Sequence, residues 1–108
     1  MNNVEPYESL REVLNEACEQ ASVGKGKERH VYGNDEPFEN QLICEMGRRL
    51  GGSSGPCYQA VKKIYEANRL PPDRAIHELY GAINYLAAAI ILLKESEIDP
   101  STIVNTMV

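Results

Sequence analysis

Between Glu78 and Lys94 the chain carries no charged side chain. Ile76, Leu79, Ile83, Leu86, Ile90 and Leu93 recur at alternating spacings of three and four, the pattern of an a/d seam in a helical bundle. The positions between them are apolar or small as well, among them Tyr80, Gly81, Ala82, Ala87, Ala88, Ala89, Ile91 and Leu92. A helix apolar on every side needs cover on every side. In a chain of 108 residues that cover is scarce, so the pattern predicts a homo-oligomer assembled through residues 76–93.

The same reading predicts three earlier helices. Over 5–22, Pro6 suits a first turn, Tyr7, Leu10, Leu14, Cys18 and Ala21 form a stripe, and Glu5, Glu8, Glu12, Glu16 and Glu19 form a wet face. Asp35-Glu36-Pro37 reads as a helix start, followed by a stripe of Phe38, Leu42, Met46 and Leu50 with Ile43 beside it, and Gly51-Gly52 as the stop. Pro56 opens a third helix, over about 56–69, with Tyr58, Val61, Ile64 and Tyr65 expected inward, and Leu70-Pro71-Pro72-Asp73 breaks it. Residues 23–35 show no apolar periodicity and hold three glycines, so they read as a loop. Residues 96–108 read as a tail or a short helix. Strand signals are poor. The expected fold is all-α: a single domain over 1–108, a small bundle of about four helices with a long apolar C-terminal helix, completed by oligomerisation.

Composition narrows the function classes. The uncharged run of about 15 residues is shorter than the roughly 18–20 that cross a bilayer, so it reads as a core helix and no membrane association is expected. The polar, acidic N-terminus does not resemble a secretion signal. Three cysteines, Cys18, Cys44 and Cys57, are an odd count without a C-x-x-C pair. They point to a reducing, cytoplasmic setting, with each thiol on an apolar helix face. The net charge is −5, distributed unevenly: residues 1–22 hold five Glu against one Arg, whereas residues 23–74 hold nine Lys and Arg against seven acids. Only the middle of the chain would attract an anion, and nucleic acid is disfavoured without a dominant basic face.

The densest candidate chemistry is Gly24-Lys25-Gly26-Lys27-Glu28-Arg29-His30. Glycines admit close backbone approach to a ligand. Lys25, Lys27 and Arg29 supply charge for phosphate oxygens, and His30 can donate a hydrogen bond or carry a proton. The spacing matches neither a P-loop nor a dinucleotide fingerprint. Arg69 and Arg74, on either side of the Pro-Pro turn, are second-rank phosphate contributors. Arg48-Arg49 and Lys62-Lys63 read as solvated helix faces. Asn84, in the apolar helix, reads as a hydrogen-bonding core residue.

Small all-α nucleotide pyrophosphatases of the MazG type hold Mg²⁺ with Glu-x-x-Glu on one helix and Glu-x-x-Asp on the next, carboxylates that share a helix face. Glu36-x-x-Glu39 has the first spacing, but no downstream Glu-x-x-Asp follows. This hydrolase alternative, with Glu36, Glu39 and Glu45 on Mg²⁺, therefore ranks below a non-catalytic reading with no catalytic residue, metal or cofactor.

The pattern Gly24-Lys-Gly-Lys-Glu-Arg-His30, Pro37-Phe-Glu39 with Gln41, Arg69-Leu-Pro-Pro-Asp-Arg-Ala-Ile76, and Glu78 with Gly81-Ala-Ile-Asn-Tyr-Leu-Ala-Ala-Ala-Ile90 resembles a group of small phage and prophage helical proteins. Small helical phage proteins include oligomeric sponges that sequester cyclic-nucleotide defence signals. By that analogy the leading expectation is a non-catalytic oligomer that binds a small phosphorylated or nucleotide-like ligand. The alternative from another class is a protein–protein interaction module that docks a host partner on its apolar and acidic helices.

Overall fold

A computed structural model describes residues 5–23 and 36–98. Four α-helices account for most of them: α1 (Glu8–Val23), α2 (Leu42–Leu50), α3 (Ser54–Ala67) and α4 (Pro72–Ile98). No strand occurs among the described residues, so the all-α expectation holds, with the long apolar helix last in the chain. α3 and α4 run antiparallel across the Leu70-Pro71 turn and form the most extensive pairing. α1 and α2 pack on α4.

The second predicted helix starts later than the proline suggested. Pro37 leads into a 3₁₀ turn over Phe38–Asn40, and Gln41 is extended at φ −77° and ψ 166° before α2 begins. The break is held by one side chain: buried Gln41 donates from Nε2 to the Glu36 carbonyl at 2.8 Å. The predicted stop is where it was expected. Gly51 and Gly52 both take left-handed backbone, at φ 109° and 102°, which glycine adopts without a Cβ penalty. α4 continues through Ile98, so the first residues of the expected tail are helical; residues 99–108 lie outside the described part.

The packing corrects the inward assignments. The fully buried positions are mostly small: Ala17 on α1, Ala60 and Ala67 on α3, and Ala82, Ala88 and Ala89 on α4. The larger buried side chains are few, chiefly Ile43, Cys44 and Leu92. The bulky stripes face outward instead. Tyr58, Val61, Ile64 and Tyr65, expected inside, are 45–68% exposed, and Leu10 and Leu14 of α1 are exposed too. On α4 the seam residues Ile76, Leu79, Leu86, Ile90 and Leu93 are 41–54% exposed. Helices that meet through alanines approach closely and gain dispersion contact from their backbones. Bulky side chains would hold them apart. Cys44 is buried, and burial pushes its thiol pKa up, while Cys18 and Cys57 are exposed rather than sheltered.

Over Pro72–Ser96, α4 is long and apolar enough to cross a bilayer by length and composition. That span adds to the uncharged run the charged turns on either side of it, with Asp73, Arg74 and Glu78 before and Lys94 and Glu95 after. In this fold the helix carries α1, α2 and α3 along its sides.

Gly47 marks the closest approach of α2 to α4. A Cβ there would collide with the Leu92 side chain and sit 3.1 Å from the Gly52 carbonyl oxygen. Gly47→Ala is expected to lower stability by about 1–3 kcal/mol through overpacking. Gly55→Ala, whose Cβ meets open space in the first turn of α3, is expected to be neutral or stabilising by up to about 1 kcal/mol. Urea denaturation followed by circular dichroism checks both.

Candidate functional site

A cavity of about 760 Å³ opens between α1, the turn before α2, and the α3/α4 pair. Its size lies in the range of small-molecule sites. α1 contributes Glu16, Glu19 and Gln20. The turn contributes Phe38 and Gln41, α3 contributes Lys63, and α4 contributes Arg74, His77, Glu78, Tyr80, Gly81, Asn84 and Tyr85.

The small-residue packing shapes this wall. The Lys63 stem crosses α4 at Gly81, where a Cβ would make ordinary van der Waals contact at 3.5 Å with both Lys63 Cδ and Cε. The Lys63 side chain is only 14% exposed, and its ammonium pairs with Glu78 at 3.4 Å. Asn84 donates from Nδ2 to the Ala17 carbonyl at 2.9 Å, tying α4 to α1 at the cavity floor. This is the core hydrogen-bonding role expected of it. Gln20, one turn further along α1, has a buried Oε1 with no hydrogen-bond partner among the described residues, an acceptor the cavity's contents can satisfy.

The cavity is graded from end to end. Arg74 and His77 belong to the first two turns of α4, where the helix macrodipole is positive. Arg74 is exposed and forms no ion pair among the described residues; the His77 ring lies edge-on to Tyr80, with centroids 6.4 Å apart. The other end holds Phe38, Tyr85 and the amides of Gln41 and Asn84. From Arg74 to Tyr85 the helix rises about 16 Å. Acidic groups lie along the α1 side. Glu16 accepts a hydrogen bond from Tyr80, which raises the phenol pKa because ionised Tyr80 would lose the bond and face the carboxylate.

Of the residues singled out in the sequence, Arg74 reaches the cavity. Arg69 is exposed at the end of α3, outside the lining. Gly24, Lys25, Gly26, Lys27, Arg29 and His30 lie outside the described residues; Val23 before their segment and Phe38 after it both line the cavity. Glu36, Glu39 and Glu45 do not. The Glu36 and Glu39 carbonyls accept bonds from Gln41 and Arg48. The Glu45 carboxylate is taken up by Arg49 at 2.9 Å and Arg48 at 3.4 Å. Among the described residues no three His, Cys, Asp or Glu side chains converge as a metal site.

Composition and spacing single out none of Lys63, Gln41, Gln20, Glu16, Glu19 and Glu78 as site residues. Lys63 corrects the expectation of a solvated face for Lys62-Lys63, since its side chain is only 14% exposed. The available signal was its register with Pro56, Ala60 and Ala67, the buried stripe of α3, but bulky neighbours offered a more obvious inward stripe. No family model matches this chain, and neither a curated protein nor a solved structure does.

Away from the cavity, Arg48 clamps Glu95 of α4 in two bonds, Nε to Oε2 at 2.9 Å and Nη2 to Oε1 at 2.6 Å. The Arg48 bond holds the Glu95 carboxyl below its usual 4.5, as the Arg49 and Arg48 bonds do for Glu45. A depressed folded pKa contributes stability above the unfolded value that is lost as pH falls through the folded one. Glu95→Gln is therefore expected to cost about 0.5–1 kcal/mol at pH 7. The gap to the parent should narrow as pH falls below the usual 4.5 and close as it passes the depressed folded value. Denaturation midpoints measured from pH 3 to 7 check the sign.

Proposed function

We propose that this chain binds a small phosphorylated, nucleotide-like ligand in the α1/α4 cavity. The observation that carries the reading is the grading of that cavity. Arg74 and His77 sit at the positive end of α4, aromatic rings and amides sit at the other end, and the two are separated by roughly the length of a nucleotide. Arg74 and the N-terminal turn of α4 take the phosphate. Phe38 and Tyr85 give the base apolar contact, and Gln20, Gln41 and Asn84 offer amides to its edge. Lys25, Lys27, Arg29 and His30, with Gly24 and Gly26, remain expected phosphate contributors. They rest on composition and on their position in the chain between two cavity-lining residues.

Isothermal titration calorimetry with nucleotides, cyclic nucleotides and ADP-ribose species tests the binding proposal. Binding by at least one is expected, and Arg74→Ala, an exposed change that leaves the fold intact, should weaken it about tenfold. Absence of heat across the panel for folded protein overturns the reading. With Mg²⁺ added, no phosphate or pyrophosphate release is expected, and turnover of any nucleotide overturns the non-catalytic reading.

A further inference from the structure

The α3/α4 pair has two flanks. Helical spacing puts Lys63 of α3 and Gly81 of α4 to one side of the alanine contact line, facing α1 and the cavity. To the other side it puts Val61 and Ile64 of α3 beside Leu79, Leu86, Ile90 and Leu93 of α4, all 41–54% exposed. Nothing in the chain's described residues covers this flank. We propose that it seats a second copy of this chain, as a two-fold pair in which the α4 helices run antiparallel.

Three observations favour a copy over other occupants. The first is spacing. The 3-4 alternation along the seam reads identically from either end. An antiparallel register centred between Asn84 and Tyr85 therefore sets Ile76 against the partner's Leu93, Leu79 against the partner's Ile90 and Ile83 against the partner's Leu86, with no charged side chain in any layer. Antiparallel α4 helices also set the dipole-positive end of each beside the dipole-negative end of the other.

The second is area. With Tyr65 and Ile76 included, the exposed part of this flank amounts to roughly 700 Å² per copy, close to the 800 Å² or so that each partner of a stable complex buries. The third concerns the bilayer. Spanning one would strip α4 of the Asn84 bond to α1 and of the Lys63–Glu78 pair. A second copy covers the apolar flank and leaves both intact. The two cavities then lie on the outer flanks of the pair, so this proposal stands independently of what the cavity holds.

Sedimentation equilibrium and light scattering test it. The parent protein is expected at twice the 12.0 kDa chain mass at micromolar concentration. Leu86→Glu is expected at the single-chain mass with unchanged helical circular dichroism, because Leu86 is already solvent-facing in the isolated fold. Leu93→Glu, one turn from the polar end of the seam, and Val61→Glu on α3 should dissociate the pair in the same way. They keep the test decisive if Leu86→Glu does not fold. A parent that stays a folded single chain up to about 1 mM, with or without phospholipid vesicles, overturns the proposal. So do folded Leu93→Glu and Val61→Glu proteins of unchanged double mass, and so does a single-chain parent that sediments with the vesicles.

Discussion

The structure depends on helices that meet through alanine. Ala60 and Ala67 of α3 and Ala82 and Ala89 of α4 are buried in the paired helices, and α1, with buried Ala17, packs on α4 and takes the Asn84 bond at the Ala17 carbonyl. With so little side-chain volume between them the backbones come close, and contact replaces bulk as the source of cohesion. Gly47 extends the same principle to α2, where even a methyl group would displace Leu92. A core of this kind buries little apolar area per residue. The ion pair between Arg48 and Glu95 and the bond from Asn84 to Ala17 supplement it. They also tie the flanking helices to α4 at defined points.

That economy has two consequences for function. Close approach of α3 and α4 sends the long Lys63 side chain sideways along α4. Lys63 passes over Gly81 and arrives, largely buried, beside Glu78. α1 is held by its carbonyl and not by a thick apolar seam, so space remains between α1 and the start of α2. The cavity is that space, walled by the polar and aromatic residues that the small-residue packing did not use. Its gradient, with Arg74 and His77 at the dipole-positive first turns of α4 and aromatic rings further along, follows from the direction of one helix.

The second consequence is that the large apolar residues are left over. Leu79, Leu86, Ile90 and Leu93 on α4 and Val61 and Ile64 on α3 share one flank of the helix pair, opposite the cavity. A monomer burying its alanines and exposing its leucines inverts the usual preference. The two flanks therefore divide the work proposed for them, one side recognising a ligand and the other a copy of the chain.

The residue pattern by itself determined the helices, since period and punctuation are local: the glycine stop at Gly51-Gly52, the break at Leu70-Pro71, and the long helix through 76–93 all stand where the sequence puts them. It also marked the 76–93 seam as a surface in need of cover. Which face of each helix turns inward was decided only by the tertiary structure. Periodicity reports that bulky residues share a stripe, and it is silent on whether that stripe meets this chain or lies open. The alanine stripe of α3, with Lys63 in register, carries almost no hydrophobic contrast and becomes visible only when α4 lies against it. The cavity was equally hidden. Glu16, Gln20, Gln41, Lys63, Asn84 and Tyr85 are far apart along the chain and ordinary one by one, and they form a site because four close-packed helices bring them to the same wall.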